Sequence, residues 1–584
     1  MTIHRVLLAK GYFPRELPPS FFTEEFAHYA VTADGRAKLA AHKFAEGFSQ
    51  CAEYDLGKPG GHRRTLAIPN PISYAALSRV AARHFRRLLK KAGKSKCSRS
   101  RPVYDPQDVR ALRTLFKPPN LGRERAIIRA AARYVLRIDV SQFYPSLYTH
   151  AVGWAIDPKL REKKYWHTGR FLGRDIDKHL MNSQGKISQG IPIGPDLSFL
   201  LSEIVLSQVD DSLGLATDSA FRWVDDYEVA CRSVDEAEGW LAAFQRELGK
   251  FRLRVNPQKV SILPLPQAAS DGWQSSLRDA VKRPLARPQE LLAYFDEAFR
   301  LRERHPESPV MNYSLGLLFR VQSLSDHAAT VAQSVISQSM LSEPGCVQKA
   351  LALLTFWSLN GMPLNRNLVG RTISEIVLQQ RQRGLSSDVA WGLFFCLANK
   401  LKVDPKAIAA LEGCTDNCIT LLALHMRSEK LIPAKFRAKA LAPSVKAGDL
   451  EGADWLFLYE GERMGFIKPT PSASKHPVFG DMLAKGIGFY RSALPPYASV
   501  IHPGGAPQWV VEKWLAVPEP KKGKKPKAAP KKPTPKPSPI VTMIVKDTAK
   551  MPKNLLPKDR IIKLLDSLLA KAIPEGADEE ADLS

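Results

Sequence analysis

Two adjacent aspartates, Asp225 and Asp226, stand between strand-like residues, with Arg222-Trp223-Val224 before them and Tyr227 to Ala230 after. Such flanks predict a β-hairpin with both carboxylates at its tip. Most acid pairs occupy solvated turns, so the pair alone constrains little. The constraint comes from its distance to another acid. Tyr134-Val135-Leu136-Arg137-Ile138-Asp139-Val140 reads as a β-strand ending in Asp139, and Ser141 to Ser146 leads on towards a helix. Gln189-Gly190-Ile191-Pro192-Ile193-Gly194-Pro195 is a Gly/Pro-rich loop feeding an apolar helix over 197–209. After the hairpin, Leu253-Arg254-Val255-Asn256-Pro257-Gln258-Lys259 sets a lysine behind a tight turn.

The chain has 584 residues, enough for about two to four domains, and 44% of them are hydrophobic, so large cores can form. Its net charge of +27 favours a polyanionic partner, nucleic acid before a membrane surface. A Lys/Pro stretch at 518–539, with eight lysines and one acid, supplies part of that excess. The seven cysteines are scattered, which suits a reducing cytoplasm. Cys414 and Cys418, with three residues between them, lack zinc spacing and a second ligand pair. No apolar run approaches the length of about 20 residues that a spanning helix needs, and no signal peptide is evident.

The texture changes along the chain. Residues 1–60 read as an N-terminal arm, and 61–265 alternate strand-like runs with helices, an α+β pattern. From 266 to 465 amphipathic helices succeed one another (289–303, 324–340, 346–358, 368–384, 388–402 and 416–429), which suggests a repeat-like solenoid, with an irregular bundle as the alternative. A mixed segment, 466–517, precedes the disordered linker 518–539. In 540–584, Ile561, Ile562, Leu565, Leu568, Leu569 and Ala572 share one helical face before an acidic end.

The order strand–Asp, loop–helix, hairpin–Asp-Asp, turn–Lys resembles the fingers and palm of a right-hand polymerase, and residues 61–265 are similar to a reverse transcriptase. The resemblance implies nucleotidyl transfer with two Mg²⁺ ions, or Mn²⁺ in their place, about 3.5–4 Å apart. Mg²⁺ prefers hard oxygen ligands. Asp139, Asp225 and Asp226 are the expected ligands, joined by the Val140 carbonyl. Gln189 and Gly190 would lie against the nascent base pair, and Lys259 beside the leaving pyrophosphate. His62-Arg63-Arg64 resembles the fingers segment that grips the triphosphate, with Arg64 preferred to Arg63. The basic run 83–101, with Arg86, Arg87, Lys90, Lys91 and Arg99, is a candidate phosphate track, and a solvated helix face is its bland alternative.

Tyr144, five residues beyond Asp139, matches the aromatic gate that excludes a ribose 2′-hydroxyl, so deoxynucleotides are the expected substrate. Trp223 departs from the Tyr or Phe usual before the acids, which would alter the fit to a primer end. The wording from Asp139 to His150 and the long helical region look most like bacterial defence-associated, abortive-infection-like reverse transcriptases. That resemblance implies RNA-directed DNA synthesis in antiphage defence in a bacterial cytoplasm. Its partners would be dNTPs, an RNA template or non-coding RNA and the DNA product, with a homo-oligomer formed through the helical region and no membrane. The alternatives are template-independent or protein-primed synthesis, with Tyr12, Tyr29 or Tyr54 offering a hydroxyl, and an inactive nucleic-acid-binding scaffold.

Overall fold

The computed structural model describes residues 2–492 except 117–120, 271, 283, 284, 286, 322, 323, 384 and 385. The Lys/Pro stretch and the terminal amphipathic segment lie outside the described residues.

Among the described residues, eight strands form three antiparallel sheets. β1 (Ala52–Gly57) and β2 (Arg63–Ile68) make a hairpin, and β3 (Pro102–Tyr104) pairs with β4 (Leu112–Thr114). The main sheet contains β5 (Tyr134–Asp139), β6 (Ala220–Trp223), β7 (Asp226–Cys231) and β8 (Ser261–Pro264) in the order β6-β7-β5-β8. Val135, Leu136 and Ile138 of the central β5 are buried, which accounts for its near-continuous apolar run. The helix Val234–Gly249, capped by Ser233 Oγ on the Glu236 amide, packs on β5 and β7. The long helix Asp196–Leu213 packs in turn on that helix and on Thr149–Ile156.

One buried ion cluster fastens β6 to this long helix. The fully buried Arg222 donates to Glu203 from Nη1 (3.0 Å) and Nη2 (2.8 Å), and to Asp210 from Nε (2.9 Å) and Nη2 (2.7 Å). The Tyr227 hydroxyl donates to Asp210 Oδ1 (2.9 Å), and Ser98 Oγ donates to Glu203. Two carboxylates around one guanidinium leave excess negative charge in the interior, and the hydroxyls stabilise it.

Beyond residue 287 the helices stack in two layers. Pro288–Arg304, Asp326–Ser342, Arg366–Arg383 and Pro405–Leu411 pack each on the next. Val310–Leu317, Val347–Leu359, Ser386–Asn399, Asn417–Ser428 and Trp455–Arg463 form the second row. This is the stacking pattern of an α-solenoid. Ser386–Asn399 is buried on nearly every face because it is packed between neighbouring helices and β1. The short helices Val310–Leu317 and Pro405–Leu411 are absent from the sequence reading because two turns give little periodicity.

The N-terminal arm is packed between the hairpin and the end of the described chain. Tyr12 stacks on Tyr74 (centroids 4.3 Å apart), and Phe21 bridges to Tyr490, with the Phe22 amide donating to the Phe489 carbonyl (3.0 Å). Two boundaries expected from the sequence therefore move. The division at 60–61 falls inside the tip of the β1–β2 hairpin, and packing continues across 465 to Tyr490. A polar staple joins the same parts: Glu451 accepts from the Ala45 amide (2.9 Å), lies 3.0 Å from His42 Nε2 and 3.8 Å from His476 Nε2. His476 Nδ1 accepts from the Val478 and Phe479 amides, so Nε2 carries the proton and the trio serves as a staple rather than a set of free metal ligands.

Candidate active site

Asp139 ends β5 directly opposite Asp226, the first residue of β7. Trp223 is the cross-strand partner of Asp226, which leaves Val224 and Asp225 as a two-residue turn. Val224 has φ 56°, a left-handed value rare for a β-branched residue. Its amide donates to Ser100 Oγ (2.9 Å) and its carbonyl accepts from Arg222 Nη1 (2.9 Å), so the buried cluster holds the turn. The Asp225 carbonyl accepts from the Val140 amide (3.3 Å), tying the tip to the end of β5. The expected hairpin and its three carboxylates thus meet at one edge of the sheet.

Repulsion and restricted solvation act on this trio. Burial raises the Asp225 carboxyl, with Asp139 adding to it while Arg64 and Lys259 oppose. Asp226 is pushed up to about 7 by partial burial, then by Asp225 and Asp139. Lys259 Nζ lies 2.9 Å from Asp139 Oδ2, and Asn256 Nδ2 donates to Oδ1 (3.1 Å). That hydrogen bond raises the Lys259 ammonium above its ordinary value against burial. Asp139, Asp225 and Asp226 offer hard oxygens, and repulsion among neighbouring like charges favours a cation beside them. The donor chemistry of these residues suits Mg²⁺.

The β1–β2 hairpin faces the trio. Its pleat turns Arg63 and Thr65 to Asp55 (3.3 and 2.6 Å) and leaves Arg64 on the opposite face, where its charge reaches Asp225 and Tyr144. Arg63 is thus held away from the acids. Sequence reading missed Lys58, at the hairpin tip. Burial lowers its ammonium, Arg64 adds to this, and Asp225 and Asp139 oppose it. The visible signal was a lysine opening the basic turn Lys58-Pro59-Gly60-Gly61-His62-Arg63-Arg64.

Tyr144 is half-buried, its hydroxyl accepts from Ser202 Oγ (3.2 Å), and burial pushes it up to about 12. Gln189 is exposed and bridges to Tyr148, while the Gly190 amide donates to the Leu147 carbonyl (3.0 Å). Gly190 has φ 84°, and a Cβ there would meet the Pro145 carbonyl oxygen at 3.2 Å, so glycine suits the close approach. The loop therefore lies against the segment carrying Tyr144. Trp223 is half-buried beside Asp226.

The basic run 83–101 fares differently. Arg87 pairs with Asp157, Lys94 with Asp211 (3.6 Å), and the buried Arg99 with Glu124 (2.6 Å). Burial lowers the Lys91 ammonium, and Arg87 adds to that. Arg86 and Lys90 remain exposed. Arg99 is thus a structural cation, not part of a phosphate track, and Arg87 is half committed to its carboxylate. The arm tyrosines are also corrected: Tyr12, Tyr29 and Tyr54 are all buried, and Tyr12 and Tyr29 donate to Pro69 O and Asp481. None presents a priming hydroxyl. All seven cysteines are free thiols. No helix among the described residues is long and apolar enough to cross a membrane.

No family model matches the chain, and no curated protein matches it in sequence. Among solved structures it is similar to the apo telomerase of Candida tropicalis, with 13% identity over 65% of this chain and 69% of that one, at a TM-score of 0.29. A superposition that loose carries no argument about function.

Proposed function

We propose that the protein is a DNA polymerase of the reverse-transcriptase type, with the β6-β7-β5-β8 sheet as its palm and the β1–β2 hairpin as part of its fingers. The observation that carries this reading is the meeting of Asp139, Asp225 and Asp226 at one sheet edge, with Arg64, Lys58 and Lys259 facing them. Acids and bases sorted in this way suit a triphosphate held by cations beside a carboxylate metal centre.

In this reading Asp139, Asp225, Asp226 and the Val140 carbonyl hold Mg²⁺, which when bound supplies Lewis acidity to the primer hydroxyl and the leaving group. Arg64 and Lys58 bind the triphosphate oxygens and orient the α-phosphate. Lys259, released from Asp139, neutralises charge on the departing pyrophosphate and can donate it a proton. Tyr144 closes the space a ribose 2′-hydroxyl would need, which makes dNTPs the substrate. Gln189 and Gly190 support the nascent pair, and Trp223 contacts the primer end. RNA is the proposed template. An antiphage role follows from the resemblance of the Asp139 to His150 segment and the long helical region to defence-associated reverse transcriptases.

The test is nucleotide incorporation by purified protein with Mg²⁺, a primed RNA template and each dNTP in turn, followed by product sequencing. Templated DNA that disappears in the Asp225→Ala/Asp226→Ala variant is the expected result. Product from that variant, or none from the wild type with any template, would overturn the reading.

A further inference from the structure

A second cationic surface, outside the sequence-predicted track, leads away from the acid trio. Val255 bridges to Val140, and the Ser141 amide donates to the Arg254 carbonyl (2.9 Å), so the turn preceding Lys259 is fastened to the end of β5. From there the exposed Arg252 lays its guanidinium over the Tyr148 ring, 4.7 Å from its centroid. The exposed Arg161, from the turn Pro158–Arg161, does the same over Phe251, also at 4.7 Å. Lys164 lies over Tyr165 (4.9 Å) but is paired with Glu162 (2.7 Å).

What separates Arg161, Arg252 and Arg254 from Arg87, Lys94 and Arg99 is the absence of counter-charge. Among the described residues, no carboxylate lies within salt-bridge distance of Arg161, Arg252 or Arg254, whereas Arg87, Lys94 and Arg99 are each paired. The aromatic rings hold the guanidinium groups of these exposed side chains without neutralising them, which suits contact with phosphate oxygens. Half-buried Tyr165 and Phe171 at the outer end offer ring faces or edges for unpaired bases.

We infer that Arg254, Arg252 and Arg161 form a binding ridge for single-stranded nucleic acid leading to or from the acid trio. The direction of that strand rests on the polymerase reading; binding itself does not.

The test is fluorescence anisotropy of the full chain with labelled dT and U oligomers of about twenty nucleotides, and a duplex of equal length, between about 50 and 200 mM salt. Arg161→Gln/Arg252→Gln should weaken single-strand binding about tenfold and reduce the salt slope by about 1.4, which is about 0.7 for each phosphate no longer neutralised. Arg87→Gln/Lys94→Gln, whose charges already meet Asp157 and Asp211, should stay within about twofold of wild type. The basic C-terminal stretch is common to all variants and cancels in the comparison. If the double variant melts early, Arg254→Gln, whose solvent-facing side chain supports no ring, serves in its place with about a threefold loss. Wild-type binding by the ridge variants, or an equal loss on duplex, overturns the ridge. A wild type that binds strands through the ridge but incorporates no nucleotide overturns the polymerase reading and leaves the ridge standing.

Discussion

Asp139 and Asp226 are direct cross-strand partners on β5 and β7, and no residue of the sheet separates their carboxylates. The fold holds like charges together at the sheet edge, and Lys259 partly neutralises them. Removing a charge should therefore help the fold while harming the chemistry. Asp226→Asn is expected to melt above wild type in metal-free buffer, with the gap closing as Mg²⁺ is added, and to lose more than about a hundredfold in incorporation. Calorimetry with and without Mg²⁺, beside a single-turnover assay, checks both halves.

The buried cluster makes the opposite prediction. Arg222→Met leaves Glu203 and Asp210 without their cation, at a cost of about 3–5 kcal/mol. Val224→Gly relieves a left-handed β-branched residue and should add up to about 1 kcal/mol. Denaturant unfolding of the two variants would separate them, and a stable Arg222→Met protein would contradict the account of the turn.

Tyr144 should act through its ring. Tyr144→Ala is expected to raise ribonucleotide incorporation relative to deoxynucleotide by about 10–100-fold, while Tyr144→Phe, losing only the bond from Ser202, stays near wild type. Competing rNTP and dNTP incorporation measures this, and no rise in the alanine variant removes Tyr144 from the substrate site.

The pleat of β2 separates two adjacent arginines. Arg64→Ala should raise the KM for dNTP about tenfold, whereas Arg63→Ala, paired with Asp55, should change it less than about twofold. Steady-state kinetics with both variants decides the face.

In the helical array, Asp388 is buried, accepts from the Gly345 amide, and is pushed up to about 7 by burial. Its folded value lies above the unfolded one near 3.8, so the folded state binds the extra proton and stability falls as pH rises from about 4 to 7. Asp388→Asn keeps an acceptor for the amide and loses the proton linkage. It should melt with wild type near pH 4, above it by pH 7, and by a constant margin beyond. Parallel melting curves at all pH values would refute this.

Local chemistry made much of the molecule legible in advance. The β5 strand, the Asp225-Asp226 hairpin and helices such as 289–303, observed as Pro288–Arg304, follow from hydrophobic period and turn residues a few positions apart. The order of acids, loop and lysine likewise needs only the chain itself. Tertiary structure decided whichever properties depend on a partner far along the chain. Asp157 and Glu124 pair with Arg87 and Arg99 of the basic run that looked free, while rings rather than carboxylates support Arg161 and Arg252. Packing buries Tyr12, Tyr29 and Tyr54, and the β1–β2 register turns Arg64 rather than Arg63 to the acids. Residue type and spacing identify which groups could act. Their charge and access depend on solvent exposure and on partners that only folding brings within about 4 Å.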